Sequence, residues 1–421
     1  LSAERPPRAI ANWTLRLAFG QAATSAAIPL NATLGSVAAV HLSHHASLAG
    51  TSVGLAMLAS VGALFVAGRI SDARGRKPVL IGGLALLSLG AVVCAGSIWV
   101  ESYALFVVGT LLFGAGQGPA MMHRAAAADL YPTAQRAHGV GLVGSAGAVG
   151  SILGPLLVSG LILAAPLLLL PERSAPWLLV PALCGIAILA VRGIGVDPRD
   201  VAADLTRFFP NADPEPPAGA PRPRRTLLRL RPARTAILAA ALTQAGMVGV
   251  MGVTAVVLDQ RGLGPSLIAI FVAAHFLGMF GLAAPLGRLA DRVGRRRMLL
   301  VGILGTMAGA LGTSLAGASL VILPFFFLLG LGWSACWVAG TAVLADVTSP
   351  AERGRLVATN DQLVALCAAV AVLAAGPVLD VAGFPAVGIA LTVLMAVALW
   401  PVWRLRESEP GRYTRVAIPA D

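Results

Sequence analysis

Gly68-Arg69-Ile70-Ser71-Asp72-Ala73-Arg74-Gly75-Arg76-Lys77 is nearly spelled a second time as Gly287-Arg288-Leu289-Ala290-Asp291-Arg292-Val293-Gly294-Arg295-Arg296. The second copy follows the first by about half the chain, and each lies between two long apolar runs. A basic hairpin at one place in both halves reads as a membrane bundle built twice. The repeat extends further: Asp129-Leu130-Tyr131-Pro132 with Arg136 is echoed, at almost the same offset, by Asp346-Val347-Thr348-Ser349-Pro350 with Arg353. Register over two separate features is a far better account than chance composition.

Hydrophobic residues make up 57% of the chain and charged ones 12%, with a mean hydropathy of +0.82. That lies outside the range of a soluble domain, so the chain reads as a polytopic, all-helical membrane protein. Twelve apolar runs are expected as spans: 14–39, 50–70, 77–99, 103–127, 138–164, 176–195, 234–258, 265–287, 298–317, 319–345, 356–379 and 382–403. They divide into a six-helix bundle over 1–195, a central loop over 196–233, and a second six-helix bundle with a tail over 234–421.

The net charge of +12 would suggest nucleic acid in a soluble protein. Here positive-inside bias explains it without a nucleic acid partner, because 28 of the 31 basic residues fall in segments that share one side when the N-terminus is cytoplasmic. Both termini are then expected in the cytoplasm, with the protein in the cell (inner or plasma) membrane. The four cysteines lie inside apolar runs with no paired spacing, so they read as small buried residues rather than disulfides or metal ligands. In the central loop, Asp197 is expected to cap a short amphipathic helix, with Pro198 in its first turn and Val201, Leu205 and Phe208 on one face against the inner leaflet. The Pro-rich linker after it, through Arg225, reads as a mobile tether to anionic lipid headgroups.

The doubled hairpin resembles the signature of the major facilitator superfamily, GxLaDRxGRR, between helices two and three and again between eight and nine. Ala73 departs from it where a basic residue is usual, with Arg74 one position later. The resemblance covers the whole chain and implies twelve transmembrane helices in two pseudo-symmetric halves that work by alternating access. Read physically, the hairpin is a conformational latch. Gly68 and Gly287 allow close helix approach, and Gly75 and Gly294 allow a tight turn. Asp72 and Asp291 offer a negative charge to the positive end of a helix, near Arg355 and near Ala137 respectively by pseudo-symmetry. Arg76 is then expected to pair with Asp129, and Arg295 with Asp346, biasing the outward-facing state. Topology anchoring alone accounts for the arginines but not for the aspartates and glycines.

Gly141, Gly150, Gly154 and Pro155 in the fifth run are similar to the first part of the motif shared by the family's antiporters, with Val158 and Ser159 replacing its closing glycines. Generic small-residue packing is the plainer reading of the same face. For proton coupling, family exporters usually carry an arginine a few residues before a Gln-Gly pair in helix four. Here Gln117-Gly118 is present, but the matching position is Gly114. The remaining coupling candidates are Asp361 in the eleventh run, against a helix-cap reading, and His275 in the eighth, against a packed, hydrogen-bonded histidine.

The resemblance places a substrate cavity where helices one, four, seven and ten meet, with Asn31, Gln117, Gln244, Trp333 and Trp337 as candidates; either tryptophan could instead face lipid. A mostly apolar site with a few hydrogen-bonding groups suits small lipophilic compounds. The function expected is proton-coupled efflux of such compounds by a monomer without cofactor, metal or enzymatic activity. An uptake symporter or an uncoupled uniporter of the same fold is the nearest rival. A membrane enzyme or a non-transporting sensor is remote, since only His41-Leu42-Ser43-His44-His45 hints at metal ligation.

Overall fold

The computed structural model describes residues 6–132, 135–167, 174–210 and 222–406. They are helical, with no strand among the described residues. Most of the Pro-rich linker, Arg173 and the tail past 406 lie outside them.

Nine helices among the described residues are long and apolar enough to cross a membrane, or ten when Pro265–Gly281 and Ala283–Val293, bent by 41°, form one span. The count differs from twelve in two places. Glu352–Trp403 is counted once but holds the eleventh and twelfth runs as two helices that meet at a kink, where Gly383 has a non-helical φ of +78°. The first run is interrupted by a π turn at Asn31–Gly35 and diluted by Gln21, Thr24, Ser25 and Asn31.

The chain folds into two compact units, one of residues 1–216 with 262–273, the other of 217–261 with 274–421. The ends of the central loop pack on the bundles that flank them. In the first unit, Asp197 caps Pro198–Ala203 by accepting the Arg199 N–H. The apolar side of this short helix faces the bundle rather than a lipid surface. Val201 and Phe209 are buried in a cluster with Ile10, Leu80, Ala127 and Tyr131, and Leu205 and Phe208 pack against it. Burying that face on protein removes the apolar area that would otherwise drive it into the interface.

Glycine sets how closely neighbouring helices approach, in the same way in each unit. Arg76–Trp99 packs on Tyr103–Ala120, where a methyl at Gly83 or Gly90 would run into the backbone at Ala120 or Phe113. Arg295–Leu315 packs on Ser319–Asp346, where a methyl at Gly302 or Gly309 would run into Cys336 or Leu329. Gly83 and Gly90 stand to Gly302 and Gly309 at the same offset as Gly68 to Gly287, so the duplication includes the packing surface as well as the hairpin. Without lipid-versus-helix hydrophobic contrast, such close backbone contact is a main source of cohesion.

Candidate functional site

Each hairpin turns at a glycine with positive φ, Gly75 at +96° and Gly294 at +94°, a region that side chains with a Cβ rarely adopt. In the first hairpin, Arg76 Nε donates to Asp129 Oδ2 at 2.7 Å, and its Nη1 lies 3.2 Å from Asp72 Oδ1 and also donates to Ser71. In the second, Arg295 binds Asp291, while its Nε faces Asp346 Oδ2 at 3.6 Å, an ion-pair contact too long for a hydrogen bond. That Nε and Oδ2 are buried without another hydrogen-bond partner, so the two hairpins share a plan but not a tightness.

Asp72 and Asp291 are 82% and 67% exposed at their side chains. Each keeps most of its carboxylate free of its own unit. Gly68 does not act as a packing glycine, because a methyl there would meet nothing within 4 Å in its unit, and one at Gly287 would meet only Val338 at 3.8 Å.

Gly150 and Gly154 do pack closely. Methyls there would collide with the backbone of Ala22 and Ala26 on Arg8–Leu30. Gly141 on the same helix meets nothing within 4 Å, and Pro155 lies inside the helix. The structure also accounts for Gly114 where an arginine might stand: a Cβ there would run into the backbone of Ala56, so no larger side chain fits without moving two helices apart.

Asp361 is exposed on Pro350–Ala396, not enclosed in the bundle, and accepts a hydrogen bond from Asn360 Nδ2 at 3.1 Å. Sequence position alone could not separate these outcomes, since one residue's rotation about the helix axis decides which surface it faces. His275 is fully buried, stacked 4.4 Å from Phe326, with Nδ1 at 2.8 Å from the Phe326 carbonyl and Nε2 without a partner.

Of the cavity candidates, Asn31 is buried and donates to the Ser52 carbonyl at 3.3 Å, while its own Oδ1 accepts from the Ser52 hydroxyl. Gln117 is half-buried. The second unit assembles the others: the Trp333 indole N–H donates to Gln244 Oε1, Trp337 stacks on Trp333 at 5.8 Å and 13°, and Phe280 meets Trp333 edge-on at 5.9 Å. Phe280 belongs to the π turn Leu277–Gly281 and carried no signal in the sequence. Among the described residues no group of three or more His, Cys, Asp or Glu could hold a metal ion.

Two contacts were missed by reading the chain. Asp197, besides capping its own helix, accepts the N–H groups of Arg76 and Lys77 at 2.9 Å each, while Lys77 Nζ donates to the Ile194 carbonyl and Arg199 to that of Asp72. Arg222 donates three times to Glu352, from its backbone N–H, Nε and Nη2, and Glu352, 3% exposed, closes a capping box with Ser349. The Ser-x-x-Glu spacing at 349 to 352 was the readable signal.

The profile of the Major Facilitator Superfamily matches residues 15–269 and 236–419. The uncharacterized MFS-type transporter YdeG of Bacillus subtilis is 27% identical over 91% of this chain and 89% of its own. The riboflavin transporter RfnT of Brucella anthropi is 26% identical over 92% and 94%. A crystal structure of a D-xylose–proton symporter superposes with a TM-score of 0.76 at 16% identity, over 96% of this chain and 99% of that one, which shows the shared fold. The matched residues span nearly the whole chain, and the protein belongs to the Major Facilitator Superfamily, as a multi-pass membrane transporter of that type.

Proposed function

We propose that the protein moves small, mostly apolar, ring-bearing compounds across the cell membrane by alternating access, with both termini cytoplasmic. The observation that carries this reading is the Phe280, Trp333 and Trp337 group with Gln244 at its edge. Stacked indoles offer flat faces to an aromatic solute, and a single amide supplies orientation without the dense polar lining a sugar demands. The similarity to a riboflavin transporter, whose substrate carries a flat ring system, supports the same class.

In this reading the hairpins latch the conformational cycle. The Arg76–Asp129 and Arg295–Asp346 pairs hold each turn rigid, and the exposed Asp72 and Asp291 are left to meet the opposite half in one state only. Export in exchange for protons is favoured by the Gly150, Gly154 and Pro155 face, with Asp361 and His275 as the groups to carry the proton. Gly114 favours the second reading, uncoupled movement or uptake, because the helix packing leaves no room for the arginine that coupled exporters use there.

Proteoliposomes with a trapped pH-sensitive dye test both readings. A panel of aromatic compounds, riboflavin included, is added under an imposed pH gradient. Compound-dependent proton flux in the opposite direction, lost in Asp361→Asn, is the expected result for antiport. Transport without proton movement selects the uncoupled reading, and no transport of any ring compound removes the substrate class.

A further inference from the structure

The second unit carries a cavity of about 1510 Å³ at the end that bears the hairpin, separate from the indole pair. Its rim holds five arginines, Arg231, Arg234, Arg296, Arg404 and Arg406, and among the described residues no aspartate or glutamate lines it. Four of the five are exposed, and Arg296 is half-buried. Cations that line one cavity repel one another, and an anion shared among Arg231, Arg234, Arg404 and Arg406 would relieve that repulsion.

Two tryptophans fix the depth of the site. Trp400 and Trp403 are each 62% exposed, Arg404 lies 4.1 Å over the Trp400 ring, and Arg296 lies 5.0 Å over that of Trp403. Exposed indoles of a spanning helix belong at the membrane–water boundary, and the stacking holds two guanidinium groups at that level. Beyond the arginines the lining turns apolar through Leu238, Ala241 and Leu363. Oxyanion chemistry above and hydrocarbon chemistry below is the profile of one amphiphile. A free phosphate would use the rim and leave the apolar wall without an occupant.

We infer that this cavity is a binding site for an anionic phospholipid, its phosphate held by Arg231, Arg234 and Arg404 and its proximal acyl chain laid along Leu238 and Leu363. The site is independent of the transport reading, since the residues assigned to the lipid, Arg231, Arg234, Arg404, Leu238 and Leu363, belong neither to the aromatic group nor to the hairpins nor to the coupling candidates.

The test is native mass spectrometry of the purified full chain, released from detergent with equal amounts of phosphatidylglycerol or the matching phosphatidylcholine. The expected result is several-fold more bound phosphatidylglycerol, falling by about tenfold or more in R231Q/R234Q/R404Q and kept in R231K/R234K/R404K. Equal occupancy by both lipids, or unchanged occupancy in the glutamine variant, overturns the inference. Displacement of the lipid by millimolar inorganic phosphate that itself remains bound reassigns the site to a free oxyanion and overturns it as well. Should the glutamine variant fail to fold, the unaltered protein decides: dibrominated phosphatidylglycerol must quench tryptophan emission more than dibrominated phosphatidylcholine, and equal quenching rejects the site.

Discussion

Asp197 stands directly against Gly75: its carboxylate takes the N–H groups of Arg76 and Lys77, and it occupies the space where a Cβ on Gly75 would lie. The turn and the carboxylate therefore require each other. Those N–H groups open the Arg76–Trp99 helix, where a negative charge also meets the positive end of the backbone dipole. Removing the acceptor in Asp197→Ala is expected to lower stability by about 1–3 kcal/mol. Asp197→Asn, with one acceptor oxygen, should fall between. Gly75→Ala should be worse than either, because it adds backbone strain to the collision. Thermal unfolding in detergent gives the order, and wild-type melting of Gly75→Ala would refute it.

The hairpin was legible because a turn between spans needs glycine and charge at fixed places, and those needs are local. The contact from Asp197 was not, because it links two positions far apart in sequence through backbone atoms, which carry no residue signature. Gly114 shows the limit from the other side. Its identity could be read, but its reason, the backbone of Ala56 at the same level, lies on another helix. The exposed setting of Asp361 was invisible for a similar cause, since a nearly uniformly apolar span has no periodicity to tell which face is buried.

The glycines of Arg136–Ala164 are not equivalent. Gly150→Val and Gly154→Val must force this helix off Arg8–Leu30, since their Cβ atoms meet rigid backbone and not a movable side chain. Both variants are expected to express poorly and to lose monodispersity in detergent, whereas Gly141→Ala, in open space, should behave as wild type. A Gly141→Ala that fails as severely as the other two would show that the face has a role other than packing.

Glu352 is only 3% exposed and draws on Arg222, Ser349 and its own helix start, so its partner matters more than an exposed ion pair would. Arg222→Ala leaves that carboxylate enclosed and short of donors, at an expected cost of about 2–3 kcal/mol, reduced from the fully buried case because Arg222 itself is partly exposed. Glu352→Gln keeps the cap and loses the charge. The double variant should then cost less than the two single changes added together, and strict additivity in unfolding measurements would show that the pair does not interact.

Gln244 and Trp333 offer the sharpest test of the aromatic site. Trp333→Phe keeps a ring for Trp337 to stack on but removes the indole N–H, so Gln244 loses its donor. Trp333→Ala removes both. If flat solutes bind by stacking, affinity for a ring compound identified in the transport panel should fall by about 1 kcal/mol or less in Trp333→Phe and by about 2 kcal/mol or more in Trp333→Ala, because ring contact is the larger part of the interaction. If orientation by Gln244 dominates, the two variants should fall together, and Gln244→Ala should match them. Equilibrium quenching of tryptophan emission by the compound separates these outcomes. Binding unchanged in Trp333→Ala would remove the indole pair from the substrate path and leave it as internal packing of the second unit.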